Sequence, residues 1–167
     1  MTQLGLLDAP KSGAAHNKGK SKQDYATPPE FVAAVARRFG PITWDLAATA
    51  ENTKAPLCIT PEQDSFSVRW HTLEPNGVLW LNPPFAHIAP WAQKCGVEAM
   101  AGARVIMLTP ASVGTEWYAD HVFGVASSMF IRPRLQFVGK EDPYPKDLML
   151  SLFGFDGLAP FECWRWK

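Results

Sequence analysis

The residues with the clearest chemical potential stand together at Asn82-Pro83-Pro84-Phe85, directly after the apolar run Val78-Leu79-Trp80-Leu81. An exocyclic amino group on a flat base offers two N–H donors. The side-chain oxygen of Asn82 can accept one, and the carbonyl of Pro83 the other, because proline keeps its acceptor while losing its donor. The prolines fix φ and hold both acceptors rigid, so little ordering is left for the moment of reaction. Accepting both hydrogens draws the nitrogen lone pair out of conjugation with the ring and aims it at an electrophile. Phe85 adds a face for a stacked base, worth roughly 1–3 kcal/mol. Taking a base out of a duplex costs a few kcal/mol, which such contacts can offset. A simple Pro-rich turn is the bland alternative, and 15 prolines in 167 residues make chance pairs common. That alternative leaves the order of strand, Asn, Pro-Pro and aromatic unexplained.

These residues need a scaffold, and the chain predicts one. Thr27-Pro28-Pro29-Glu30 reads as a helix start: Thr27 can cap, Pro28 fits the first helical position and Glu30 can close a capping box. Phe31, Val35 and Phe39 then recur every four residues, and Gly40-Pro41 stops the helix. Ile42 to Ala47 is a short strand carrying Asp45. Short strands are expected at Leu57–Thr60 and Phe66–Trp70, in a stretch broken by Pro56, Pro61 and Pro75. Val78–Leu81 is apolar at every position, as in a strand covered on both faces. A helix over Pro90–Ala101 puts Trp91, Cys95 and Ala99 on one face. Arg104–Thr109 is a second buried strand, followed by a helix around Thr115–Phe123. Ser128–Ile131, Leu135–Val138 and Leu148–Phe155 are strand-like. The alternation implies an α/β fold with a mostly parallel sheet flanked by helices. In such sheets ligands bind beyond the carboxyl ends of the strands. Asp45, Asn82-Pro83-Pro84-Phe85 and Thr109-Pro110 all fall at such ends.

Composition sets the bounds. A chain of 167 residues can bury one real core, and 47% apolar content with no net charge argues against a wholly disordered chain. Residues 1–22 carry four lysines against one acid and read as a flexible basic tail. Residues 23–167 then form a single domain. The cysteines Cys58, Cys95 and Cys163 are odd in number and far apart, which suits reduced thiols in a cytosol and no zinc site. No run reaches a membrane-spanning length, and the N-terminus lacks an apolar signal core. His16, His71, His87 and His121 are isolated, so none signals acid–base catalysis.

Taken in order, these segments resemble the phage-type DNA adenine-N6 methyltransferases, a branch of the class I enzymes that use S-adenosylmethionine. The resemblance runs over about residues 24–155. It rests on Thr27-Pro28-Pro29-Glu30, Asp45-Leu46-Ala47-Ala48, Asn52, Asn82-Pro83-Pro84-Phe85, Pro90-Trp91, Pro110-Ala111, Thr115-Glu116-Trp117 and Arg134-Leu135-Gln136-Phe137. It implies an abridged Rossmann-like fold, double-stranded DNA as substrate, and methyl transfer from S-adenosylmethionine to a flipped adenine by direct displacement. No metal is required by that chemistry, because a sulfonium is already a good leaving group. The resemblance also implies a bacterial host cytoplasm and a phage or prophage origin.

The same resemblance assigns roles. Asn82, Pro83, Pro84 and Phe85 are the catalytic turn. Tyr25, Thr27, Asp45, Ala47, Asn52, Asp64 and Asn82 border the cofactor, with Asp45 accepting from its ammonium or hydroxyl groups. Asp64 reads equally as an exposed loop acid, Asp45 alternatively as a surface acid capping the following turn, and Asn52 as a cap. The loop Ala47-Ala48-Thr49-Ala50 has no glycine, unlike many methyltransferases. Thr115, Trp117 and Arg134 are candidate DNA contacts; Trp117 also fits a core position, and Arg134 a solvated strand end. Asp45 and Asn82 lie 37 positions apart, too close for a separate recognition domain between them. Base reading falls to loops such as 111–118 and 139–147. Two rivals stay open. One is methylation of another amino group, on RNA guanine or protein glutamine. The other is a catalytically silent DNA-binding module.

Overall fold

The structure is a computed structural model that describes residues 26–167. Tyr25 and the expected basic tail, residues 1–22, lie outside the described residues. Strands β1 (Ile42–Asp45), β2 (Leu57–Cys58), β3 (Val78–Leu81), β4 (Val105–Pro110), β5 (Ser127–Arg132), β6 (Leu148–Phe153) and β7 (Phe161–Arg165) form one sheet in the order β2-β1-β3-β4-β6-β5-β7. β2, β1, β3 and β4 pair in parallel. β6 runs antiparallel to both β4 and β5, so β5 points the same way as β4. The carboxyl ends of β1, β3, β4 and β5 therefore share one edge. The expected mostly parallel α/β sheet is borne out.

Each central strand feeds two cores. Val78 and Trp80 of β3 face one side, with Ile106 and Leu108 of β4 and Leu150 and Leu152 of β6. Helix α1 (Pro29–Phe39) covers that side with Phe31, Val35 and Phe39, the stripe its four-residue spacing predicts. Leu79, Leu81, Val105, Met107, Met149 and Phe153 face the other side. There α2 (Ile88–Met100) and α3 (Glu116–His121) supply Ala92, Cys95 and Tyr118. Burial on both faces explains why these strands read as unbroken apolar runs. Burial also pushes the Cys95 thiol up, so it stays protonated and inert.

Four local expectations change. Pro28 is the N-cap of α1 and makes no side-chain cap bond; the buried Thr27 hydroxyl instead accepts from Asn82 Nδ2 at 3.5 Å. Residues 66–70 form turns leading into a 3-10 turn at Trp70–Thr72, because Trp70 Nε1 donates to the Ser65 carbonyl and folds the segment inward. Residues 135–138 belong to no strand. Leu135 and Phe137 alternate toward the core, as a strand would, but their segment pairs with no ladder and packs as a loop. β7 was not expected. It is held by Trp164 and Trp166 against Phe31 (centroids 6.0 and 5.1 Å) and by Glu162, whose carboxylate accepts from Arg38 at 2.7 Å.

One buried ion cluster fastens α2 to the turn below it. Glu98 is 5% exposed and accepts from the His71 backbone N–H at 3.0 Å, from the His71 ring, and from Lys94 Nζ at 2.8 Å. Burial alone would raise its carboxyl, but these donors outweigh it and hold it down at about 2. The folded value lies below the unfolded one. This contribution is thus complete above the unfolded value of 4.5 and is lost as pH falls toward about 2. Urea midpoints should drop across that window in the wild type and drop less in Glu98→Gln. Gly154 is a second constraint: φ is +72°, and a Cβ there would run into the Ala103 carbonyl oxygen. Gly154→Ala should cost at least about 1 kcal/mol in chemical denaturation.

Candidate active site

A cavity of about 390 Å³ opens at the carboxyl edge of the sheet. Three segments line it. The loop after β1 contributes Ala47, Thr49 and Asn52; the segment after β2 contributes Thr60, Asp64, Ser65 and Phe66; the turn after β3 contributes Asn82, Pro83, Pro84 and Phe85. Trp91 of α2 completes one wall.

Backbone bonds fix these segments to one another. Leu46 N–H donates to the Trp80 carbonyl at 2.8 Å, and Ile59 N–H donates to the Asp45 carbonyl at 2.9 Å. Ala48 N–H donates to the Ile59 carbonyl at 3.3 Å. The loop after β1 needs no glycine, because among the described non-glycine residues only Asp64 has positive φ.

Asp45 does not line the cavity. It is 3% exposed, and its carboxylate accepts the Lys54 N–H at 2.9 Å and the Ala47 N–H at 3.4 Å. Burial raises its carboxyl, and the two backbone donors work against that rise. Asp64 lines the cavity, but its oxygens accept from the Phe66 N–H at 3.1 Å and the Ser67 hydroxyl at 2.7 Å. The Asn52 side-chain oxygen accepts the Thr49 N–H at 2.7 Å. Each of these polar groups shapes the loop it sits in.

The aromatic wall escaped the sequence reading. Phe66 and Trp91 meet at 4.4 Å between centroids, and Trp91 stacks on Trp70 at 6.3 Å. Lys94 lies over the Trp70 ring at 4.7 Å and ties the wall to Glu98. Pro90-Trp91 after the Asn82–Phe85 turn is the signal the sequence carries for this wall; the direction of the Trp91 side chain is not. Phe66 was assigned to a strand, which hid its role in the lining.

The DNA-contact candidates all stand at the same edge and none lines the cavity. The Thr115 hydroxyl donates to the Ser112 carbonyl at 2.7 Å, and Thr115 is the N-cap of α3. Trp117 packs against the core cluster below α2. Arg134 is exposed and pairs with Asp147 at 2.8 Å. Thr109 is fully buried and stays out of the lining. No group of three His, Cys, Asp or Glu able to hold a metal is found among the described residues, and none of their helices is long and apolar enough to cross a membrane.

The sequence profile of the DNA N-6-adenine-methyltransferase (Dam) family matches residues 14–148. A protein of Haemophilus phage HP1 named DNA N-6-adenine-methyltransferase is 28% identical over 146 residues, 82% of each chain. One of the same name from Escherichia phage T1 is 26% identical over 111 residues, 66% of this chain and 45% of its own. With the family profile covering most of its length, the chain belongs to the DNA N-6-adenine-methyltransferase family.

Proposed function

We propose that this chain methylates the N6 amino group of adenine in double-stranded DNA, on a base turned out of the duplex, with S-adenosylmethionine as donor. The observation that carries this reading is the shared cavity: the Asn82–Phe85 turn, the loop after β1 and the Asp64–Phe66 segment line one space. A donor and an acceptor base must meet within bonding reach, and a single cavity at a sheet's carboxyl edge suits that need.

The residues fit the donor. About 390 Å³ falls within the range of ligand sites, roughly 300–1,000 Å³. Apolar and aromatic side chains dominate the lining, with Asp64 its one carboxylate and no Lys or Arg among the described residues. Such a lining admits a cation and a flat purine. When bound, S-adenosylmethionine supplies an electrophilic methyl carbon on a sulfonium. Phe66 and Trp91 offer a face for its adenine, and Asn52, Thr49 and Asp64 offer polar groups for its other parts.

The chain's own residues do the rest. Asn82 is committed at its nitrogen, which donates to the buried Thr27 hydroxyl. The oxygen end of the amide accepts one amino hydrogen of the target base, and the Pro83 carbonyl accepts the other. As the nitrogen would gain the methyl carbon, the carbon–sulfur bond would break and the sulfur leave as a neutral thioether; these fixed dipoles would meet the developing positive charge until the surplus amino proton passes to solvent. Phe85 stacks the base, and Pro83 and Pro84 keep the turn from relaxing. Asp45 acts on the donor side through the loop it braces. Phage relatives suit a reaction on DNA in a bacterial host cytoplasm.

Labelled methyl transfer to unmethylated bacterial DNA tests the proposal. Wild type should label adenine, identified by mass spectrometry after digestion, and Asn82→Ala should lose at least about a hundredfold in rate, as when one preorganised group is removed. Cofactor binding by calorimetry should survive. Robust labelling by the mutant would refute the assigned role, and label on RNA guanine or protein glutamine would redirect the substrate. Asp45→Ala removes the acceptor of two backbone N–H groups. It should cost about 1–3 kcal/mol of stability and weaken cofactor binding without changing which base is labelled.

A further inference from the structure

The loop of residues 133–147 leaves β5 at the same edge as the Asn82 turn and returns into β6. It carries Tyr144. The Tyr144 N–H donates to the Leu135 carbonyl at 2.7 Å and draws the two ends of the loop together. Its ring meets Phe137 edge to face, with centroids 5.5 Å apart and planes at 85°. Phe137 is 1% exposed and belongs to the core under α1. Tyr144 also meets Phe85, at 6.1 Å and 63°. Phe85 lines the cavity, whereas Tyr144 does not.

Phe85 sits in a turn outside any helix or strand, after an exposed Pro84. Its ring direction therefore depends on what packs against it. Phe85 packs against both cores, and the chain of rings from buried Phe137 through Tyr144 adds a fixed edge-on contact that selects among its ring directions. We propose that Tyr144 is a positioning residue for methyl transfer. It holds the Phe85 ring in the plane that stacks the target base, and so joins the β5–β6 loop to the catalytic turn. This rests on the function proposed above. The interaction is ring on ring, so the aromatic ring and not the hydroxyl carries it.

The test compares Tyr144→Leu, which keeps apolar bulk but loses the ring, with Tyr144→Phe, which keeps the ring. Steady-state labelling of unmethylated bacterial DNA gives kcat and KM; calorimetry with S-adenosylmethionine and thermal melting report the donor site and the fold. Tyr144→Leu should lower kcat about three- to tenfold, the worth of one edge-to-face pair. Cofactor affinity and melting should remain as in wild type, and Tyr144→Phe should restore kcat. A wild-type kcat in Tyr144→Leu overturns the proposal, as does equal loss in both variants. A kcat loss matched by loss of cofactor binding or of melting temperature also overturns it, since Tyr144 would then be merely structural. If wild type itself leaves adenine unlabelled, the proposed function falls and this inference with it; labelling by wild type with an indifferent Tyr144 removes the inference alone.

Discussion

The site depends on one backbone contact, the bond from Leu46 N–H to the Trp80 carbonyl at 2.8 Å. It closes the β1–β3 ladder at the last position before the chain diverges. Leu46 opens the loop after β1, and Trp80 stands two residues before Asn82. Parallel pairing aims both strands the same way, so both loops must leave at one edge. The distance between the two halves of the cavity is thus set by a strand spacing and not by side chains.

Side chains decide how firmly that edge is held. β3, β4 and β6 are buried along their whole length, so the ladder beneath the site has apolar packing on both faces. α1 closes one face and brings Thr27 to Asn82; α2 closes the other and brings Trp91 to the lining. α1 and α2, which cover the two faces of the core, thereby also bring residues to the site; α3 does not. The polar residues of the loops follow the same economy. Asp45, Asn52 and Asp64 each satisfy backbone N–H groups in segments with few ladder bonds.

Much of this was legible in the chain. The stripe Phe31, Val35, Phe39 and the uniform runs of β3, β4 and β6 carry strong periodic signals, and the structure has those elements within a few residues of their expected ends. Leu135–Val138 and Phe66–Trp70 misled for one reason. Both show apolar residues at strand-like intervals, yet strand character needs a partner ladder, and their backbone groups bond singly instead, in turns or, for the Val138 N–H, to the distant Ala26 carbonyl. β7 was illegible because its order comes from Trp164 and Trp166 packing on a helix more than a hundred positions earlier.

The sequence by itself determined the Asn82–Phe85 turn, since the acceptors of Asn82 and Pro83 and the stiffness of two prolines are local properties of four residues. It determined too that this turn ends a buried strand. Only the tertiary structure decided the company those residues keep. It turned Thr27 from a helix cap into a partner of Asn82, withdrew Asp45 behind its loop, and set Tyr144 against Phe85. The physical reason is range: dihedral preference and apolar period act over a few residues, whereas a side chain's partner across 55 positions is chosen by the packing of whole elements.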